Sequence, residues 1–370
     1  MKYAARLQCS IIRTVILCMI FMSFNTSSHV TGSNTSVHPE IYENIIVWQD
    51  NRRNDWDIYG YNIITEKEFP IIQYAGTQWN PAIYKDIVVW QDNRQRHWDI
   101  YGISLTTKEE FQVTSHYRNQ YIPDIYGDIV VWSDLRSGNY DIYVYNLSTQ
   151  EEFQIIADEN DQWNPAVYEN IVVWTDERQG NWDIYGYNLQ TKEQFQITVN
   201  ESDQKDPVLY ADIVVWTDNR QGNQDIYGFN LETRKEFQIT THPHDQQYPA
   251  LYQDTVIWQD YRNGNWDIYG LHLETGEEFP IAAHEGNQEH AAIFGNYVVW
   301  VDSRAHGAIF GYNLETQEEF QIQHPGITLP FKNLFKILRQ YFYWILIAVA
   351  LVVVIIFMRK RGEEQYYMQP

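Results

Sequence analysis

The stretch Gln162-Trp163-Asn164-Pro165-Ala166-Val167-Tyr168-Glu169-Asn170-Ile171-Val172-Val173-Trp174-Thr175-Asp176 decides the fold. It runs on through Arg178, Gly180, Asn181 and Trp182-Asp183-Ile184-Tyr185-Gly186-Tyr187-Asn188-Leu189 to Phe195-Gln196-Ile197-Thr198. Its central tryptophan recurs at Trp48, Trp90, Trp132, Trp174, Trp216, Trp258 and Trp300, every 42 residues. Seven such units cover roughly residues 33–326 of a 370-residue chain. A period of this length marks a repeat architecture, so the chain reads as one array with appendages rather than two or three separate domains.

Each unit parses into four short strands. The first is Pro-x-Ile-Tyr, as at Pro81 to Tyr84. The second is Asp-Ile-Val-Val-Trp, as at Asp86 to Trp90, whose continuous apolar run suits a strand buried on both faces. The third, Asp183 to Leu189, puts Ile184 and Gly186 on one side and Tyr185 and Tyr187 on the other. The fourth is Glu236 to Thr240, with Phe237 and Ile239 inward and Gln238 outward. Turn signals such as Tyr126-Gly127-Asp128 and Arg262-Asn263-Gly264-Asn265 separate them. Four strands per unit, seven times over, predict an all-β fold: a seven-bladed β-propeller of four-stranded blades. An open β-solenoid is the alternative, but its coils are shorter and lack a four-strand meander. The first unit opens at Pro39 and the last closes at Phe320-Gln321-Ile322, so each blade is expected to come from one unit.

The pattern Pro-x-Ile-x-x-Asp-Ile-Val-Val-Trp-x-Asp-x-Arg-x-Gly-Asn-x-Asp-Ile-Tyr resembles the TolB-like β-propeller repeat of archaeal, methanogen-type cell-surface proteins. The resemblance covers all seven units. It implies a surface-exposed propeller used in binding, adhesion or the cell envelope, and it implies no reaction. TolB itself is six-bladed and soluble in the periplasm, so a TolB-like partner role does not transfer.

The ends carry their own signals. Lys2, Arg6 and Arg13 precede an apolar run from Thr14 to Phe24, and small polar residues follow, which is the layout of a cleaved signal peptide over 1–30. Residues 327–340 read as a juxtamembrane linker. Tyr341 to Met358 is eighteen residues without a charge, long enough for a transmembrane helix, and 359–370 would form a short cytoplasmic tail. The expected location is therefore the cell membrane, single-pass, with the propeller at 33–326 extracellular. Cys9 and Cys18 both lie in the signal region, so no disulfide or Cys-based metal site is expected in the mature chain. Of the 26 basic and 49 acidic residues, 17 and 47 fall within the repeats, which leaves that region near −30 in formal charge. Such a field disfavours nucleic acid and favours solubility and cation association.

Two charged positions recur in every unit: Asp50, Asp92, Asp134, Asp176, Asp218, Asp260 and Asp302, each followed two residues later by Arg52, Arg94, Arg136, Arg178, Arg220, Arg262 and Arg304. A catalytic pair is needed once, so a pair present seven times reads as blade architecture. A second aspartate, Asp57, Asp99, Asp141, Asp183, Asp225 and Asp267, is lost in the last unit. Paired aspartates raise the possibility of Ca²⁺, but the adjacent arginines argue against it. No cofactor or metal is expected, and no nucleophile motif or phosphate loop occurs.

The variable positions point to binding. Gln78, Gln120, Gln162, Gln204, Gln246 and Gln288 hold one place in the loop before the first strand, while the next residue changes: Trp79, Tyr121, Trp163, Lys205, Gln247, Glu289. The second-to-third turn on the same face carries Trp56, Trp98, Tyr140, Trp182 and Trp266. Trp79, Tyr121 and Trp163 should form an exposed arc on one side of the rim. Rings mixed with polar groups suit a glycan or a protein partner; the competing reading is packing between blades. Asn34, Asn146 and Asn200 are glycosylation candidates. An enzyme on such a scaffold would place a unique acid, base or His cluster in one or two blades. The departures from the repeat read as losses in the last unit, so the protein is expected not to be an enzyme. A membrane-anchored interaction module is the leading reading. A purely structural envelope component, or a carbohydrate-active enzyme using a channel carboxylate, are the alternatives.

Overall fold

The computed structural model describes residues 37–305 and 307–322. Seven four-stranded antiparallel sheets follow one another, spanning 40–72, 78–112, 120–154, 162–196, 204–238, 246–282 and 288–321. In each, the strands lie side by side in chain order, so every blade is a meander made from one repeat unit. The first strands of neighbouring blades touch round the ring, and that of blade 7 touches that of blade 1. The ring is therefore closed with no strand borrowed across the closing seam.

The second strand shows why these residues stack as blades. Its β-branched run is covered on both faces because a neighbouring blade lies on each side. Val47 packs towards blade 2 with Ile83, Val88 and Trp90. Ile46 and Trp48 face the other way, against Val299 and Ile309 of blade 7, and this apolar seam closes the ring. All seven repeat tryptophans are completely buried.

The third and fourth strands carry a second packing rule. Gly186 leaves a gap that the Phe195 ring fills, and a Cβ there would lie 2.5 Å from that ring. The same Gly–Phe contact recurs in five other blades. Blade 3 has Val144 in place of the glycine, and its Phe153 stands 41% exposed. The side chain that no longer fits is turned out to solvent.

One boundary differs from the sequence reading. The first strand starts at Gln78, not Pro81, so the Gln and aromatic positions assigned to a loop belong to the strand. Gln78 pairs with Asp92 and Trp79 with Gln91, and the register then slips before Ala82. The slip is a bulge at Asn80, whose φ is +49°, followed by Pro81, which has no N–H to donate to the ladder. Six of the seven blades repeat this left-handed residue, even at the β-branched Ile122.

The proposed signal peptide, linker, membrane helix and tail, with Asn34, lie outside the described residues. Among the described residues no helix is long and apolar enough to cross a membrane.

Candidate functional site: rim, latch and channel

The repeated Asp–Arg pairs are tied into their own blades. In blade 4 the buried Trp174 donates its indole N–H to Asp176 Oδ2 at 2.8 Å, and the Arg178 backbone N–H reaches Oδ1 at 3.0 Å. The Arg178 guanidinium bonds the same carboxylate through Nε at 2.8 Å and lies 4.1 Å above the Tyr185 ring. Tyr185 belongs to the third strand, so one arginine joins two strands. In blade 2, Arg94 continues to Glu110 of the fourth strand at 2.5 Å. Each aspartate thus accepts an indole, a turn amide and a guanidinium together, which satisfies a charge that would otherwise be costly to bury. The second aspartate is also buried; burial raises the pKa of Asp183 against the hydrogen bonds of Thr198 and Asn181. In blade 7 its place is taken by Ala308, beyond a one-turn 3₁₀ segment at Ser303–Ala305.

The recurring glutamines are structural connectors. Gln78, Gln120 and Gln162 are fully buried, and their backbone N–H groups reach the carbonyls of Trp56, Trp98 and Tyr140 in the preceding blade, at 2.7 to 2.8 Å. The aromatics they bracket do form an arc. Trp79 sits between Trp56, 6.1 Å away edge-on, and Trp98, 5.2 Å away and stacked. Trp98 leads to Tyr121 at 6.2 Å, and Trp163 lies 6.0 Å from Tyr121 and 4.5 Å from Tyr140. This run crosses three consecutive blade seams. It differs from the expected exposed arc in one respect: the rings are half-buried against one another. Trp182 does not join it and instead carries Lys205 over its face at 5.8 Å. Trp266 packs on Tyr261 at 5.0 Å. Asn146 ends the strand Asp141–Asn146 and Asn200 lies in a loop, each using its side-chain oxygen to accept nearby amides.

The channel holds what the sequence reading missed. A cavity of about 590 Å³ is lined by the first strands of all seven blades. Its lining residues flank the strand's proline, which is Ala291 in blade 7. The residue before it is His38, Asn80, Ile122, Asn164, Asp206, Tyr248 or His290 in successive blades; the residue after it is Glu40, Ala82, Asp124, Ala166, Val208, Ala250 or Ala292. Comparing these two positions across the units would have exposed the pattern, because here the departures are gains of acid and imidazole. That corrects the expectation that the departures are only losses in the last unit. Nothing in the strand alternation, broken by the bulge, marks these positions as facing the lumen.

Glu40 lines the cavity and is exposed there. Burial, and then the nearby Asp124 carboxylate, push its pKa up to about 8. Asp124 is also raised by burial, but both its oxygens accept backbone N–H groups, from Ile125 and Val167, at 2.8 Å. Asp206, pushed up to about 6 by burial, accepts from Asn164 at 3.3 Å. His38 and His290 lie ring to ring at 4.2 Å. Burial and the neighbouring imidazole push His38 down to about 3, and burial lowers His290. Among the described residues no group of three His, Cys, Asp or Glu is placed to hold a metal ion.

Beyond these layers the first strands end in a collar of aromatic rings: Tyr42, Tyr84, Tyr126, Tyr168, Tyr210, Tyr252 and Phe294. Neighbouring centroids are 4.5 to 5.1 Å apart all the way round, and Tyr42 meets Phe294 at the closing seam. Burial pushes the Tyr42 hydroxyl up to about 12.

No family model and no curated protein matches the chain. Solved structures do. TolB from Acinetobacter baumannii superposes with a TM-score of 0.51 at 16% identity, over 64% of this chain and 62% of that one. The fold is TolB-like. The chain spans less than two-thirds of that TolB's length. The β-propeller domain of the Trilobed protease from Pyrococcus furiosus, described as having an open velcro topology, gives 0.62 at 11% identity over 78% and 96% of the two chains. An oligogalacturonate lyase from Vibrio parahaemolyticus gives 0.54 at 11% identity over 76% and 85%. At these identities the likeness is one of fold.

Proposed function

We propose that this protein is a membrane-anchored cell-surface propeller that binds glycan or protein on the rim bearing Trp79, Tyr121 and Trp163. In this reading a cleaved signal peptide exports the chain and residues 341–358 hold it in the membrane. The observation that carries the proposal is the lopsidedness of the rim. Aromatic rings run without a break over three seams, while blades 5 to 7 place Lys205, Gln247 and Glu289 at the same position. A scaffold needing rings only for packing would use them at every seam. Partly covered aromatics framed by polar groups are what sugar faces and protein hot spots select.

The test is the triple substitution Trp79→Ala, Tyr121→Ala, Trp163→Ala. Binding to isolated cell-envelope material should weaken about tenfold or more, equivalent to about 1.4 kcal/mol, with the circular-dichroism spectrum retained. Unchanged binding together with a large fall in melting temperature would assign the rings to inter-blade packing and leave a purely structural envelope role. The Glu40–Asp124 pair favours a second reading, a carbohydrate-active enzyme with a protonated channel acid. Release of new reducing ends from envelope polysaccharide, lost in Glu40→Gln, would support it.

A further inference from the structure

We propose that the channel is a binding site for a small organic cation, a primary alkylamine whose ammonium group seats against the carboxyl groups of Glu40 and Asp124. The site is separate from the aromatic rim and does not depend on it. Four features of the cavity lead to this ligand class.

Firstly, the acids are singular. In a scaffold that repeats its other polar contacts, the layer after the proline is acidic only in blades 1 and 3, and the remaining five blades offer Ala or Val. Secondly, Glu40 makes no hydrogen bond with any described residue and stands exposed at the cavity. Its oxygens open onto the cavity, so a ligand there meets them without displacing a protein partner. Thirdly, among the described residues no lysine or arginine lines the cavity to compete for the pair. Fourthly, the acids and imidazoles are not gathered as metal ligands, whereas an ammonium group needs only two or three acceptors around a point charge. The apolar walls from Ala82, Ala166 and Ala250 suit a methylene stem, and the volume falls within the range of about 300–1,000 Å³ usual for small-ligand pockets. The strongly acidic repeats would raise the local concentration of any such cation.

The protonation states give a specific signature. Asp124, with two backbone N–H donors, is the better-stabilised carboxylate of the pair, and Glu40, with none and with its pKa raised, is the one expected to hold a proton. The arriving R–NH₃⁺ makes the ionised form of Glu40 favourable, so Glu40–COOH becomes the carboxylate and its proton passes to the buffer. The other titratable groups facing the channel are His38, His290, Asp206 and Tyr248. Both imidazoles are held neutral, and Asp206 is engaged by Asn164.

Titration calorimetry of the full-length chain with putrescine at pH 7, in two buffers of different ionisation enthalpy, tests this. Saturable binding at one site is expected, with a buffer-dependent heat reporting up to one proton released. Glu40→Gln should weaken binding about tenfold and abolish the proton release, whereas Glu151→Gln, on the exposed outer strand, should do neither. Butane-1,4-diol, the neutral isostere, should not bind. Absence of saturable binding, equal binding of the diol, or unchanged affinity in Glu40→Gln would overturn the proposal. Full displacement of putrescine by Mn²⁺ at lower concentration would overturn it in favour of a metal site. Should Glu40→Gln fail to fold, the diamine–diol comparison and proton release in the unsubstituted protein decide the matter alone.

Discussion

At the end of every second strand the same partners meet in the same way, Trp to Asp to Arg to an aromatic ring, seven times. Around the channel no two neighbouring blades present the same pair of side chains. Both regions are built on the same backbone, a few residues apart in each unit, so the difference is not one of fold. Trp174, Asp176, Arg178 and Tyr185 satisfy one another inside one blade, and a blade needs that whatever its neighbours do. His38 and Glu40 of blade 1 and Asp206 of blade 5 converge on a shared space and do not improve any blade taken singly. Repetition marks what the scaffold requires, and singularity marks where a ligand is to be sought.

Substitutions can break this contrast. The largest effect should come from Trp174→Ala, which removes a completely buried indole from a seam and leaves Asp176 short of one donor. A loss of about 3–5 kcal/mol is expected by denaturant unfolding, and a loss under about 1 kcal/mol would mean the seams are far looser than the contacts imply. Asp176→Ala should cost less, about 1–3 kcal/mol, because it strands the indole and guanidinium but leaves the packing in place. Combining it with Arg178→Ala measures the coupling directly: the double mutant should cost clearly less than the two single losses added together. Simple additivity would show that the pair is not a unit.

The smallest effect, and of opposite sense, belongs to the channel. Glu40 holds its proton more tightly folded than unfolded, since its pKa is pushed up to about 8 from an ordinary value of 4.5. The folded chain therefore binds more protons than the unfolded one between those values, and stability contributed by the neutral form fades as pH rises through about 8. In Glu40→Gln that slope should vanish. The melting temperature of the parent should fall relative to that of Glu40→Gln between pH 5 and pH 9, without ligand. A parallel pair of curves would show that Glu40 titrates at its ordinary value.

The 42-residue period was enough to read blade number, strand order and the unshared closing seam, because each follows from a pattern internal to one unit. The Asp–Arg positions were readable for the same reason. The depth of the aromatic rim was not, because half-burial of Trp79 depends on Trp56 from the preceding blade and Trp98 from its own. Nor were the channel residues. The left-handed residue at Asn80 and its equivalents shifts the in–out alternation partway along the strand, and a two-residue period read across that point assigns the wrong faces. Glu40 and Asp124 are 84 positions apart, two full units. Only the turn of successive blades round the axis brings both to one channel.

The aromatic collar has a consequence for how such a chain can grow. Each ring is turned from the next by 43–61°, close to one-seventh of a full circle, and each touches two others. Because one unit makes one whole blade, duplicating or deleting 42 residues would leave every remaining blade intact, and the ends could be relocated to any of the seven seams. The collar is what would register the change. Six rings would crowd and eight would part, so the tyrosine that ends each first strand serves the molecule as its gauge of number.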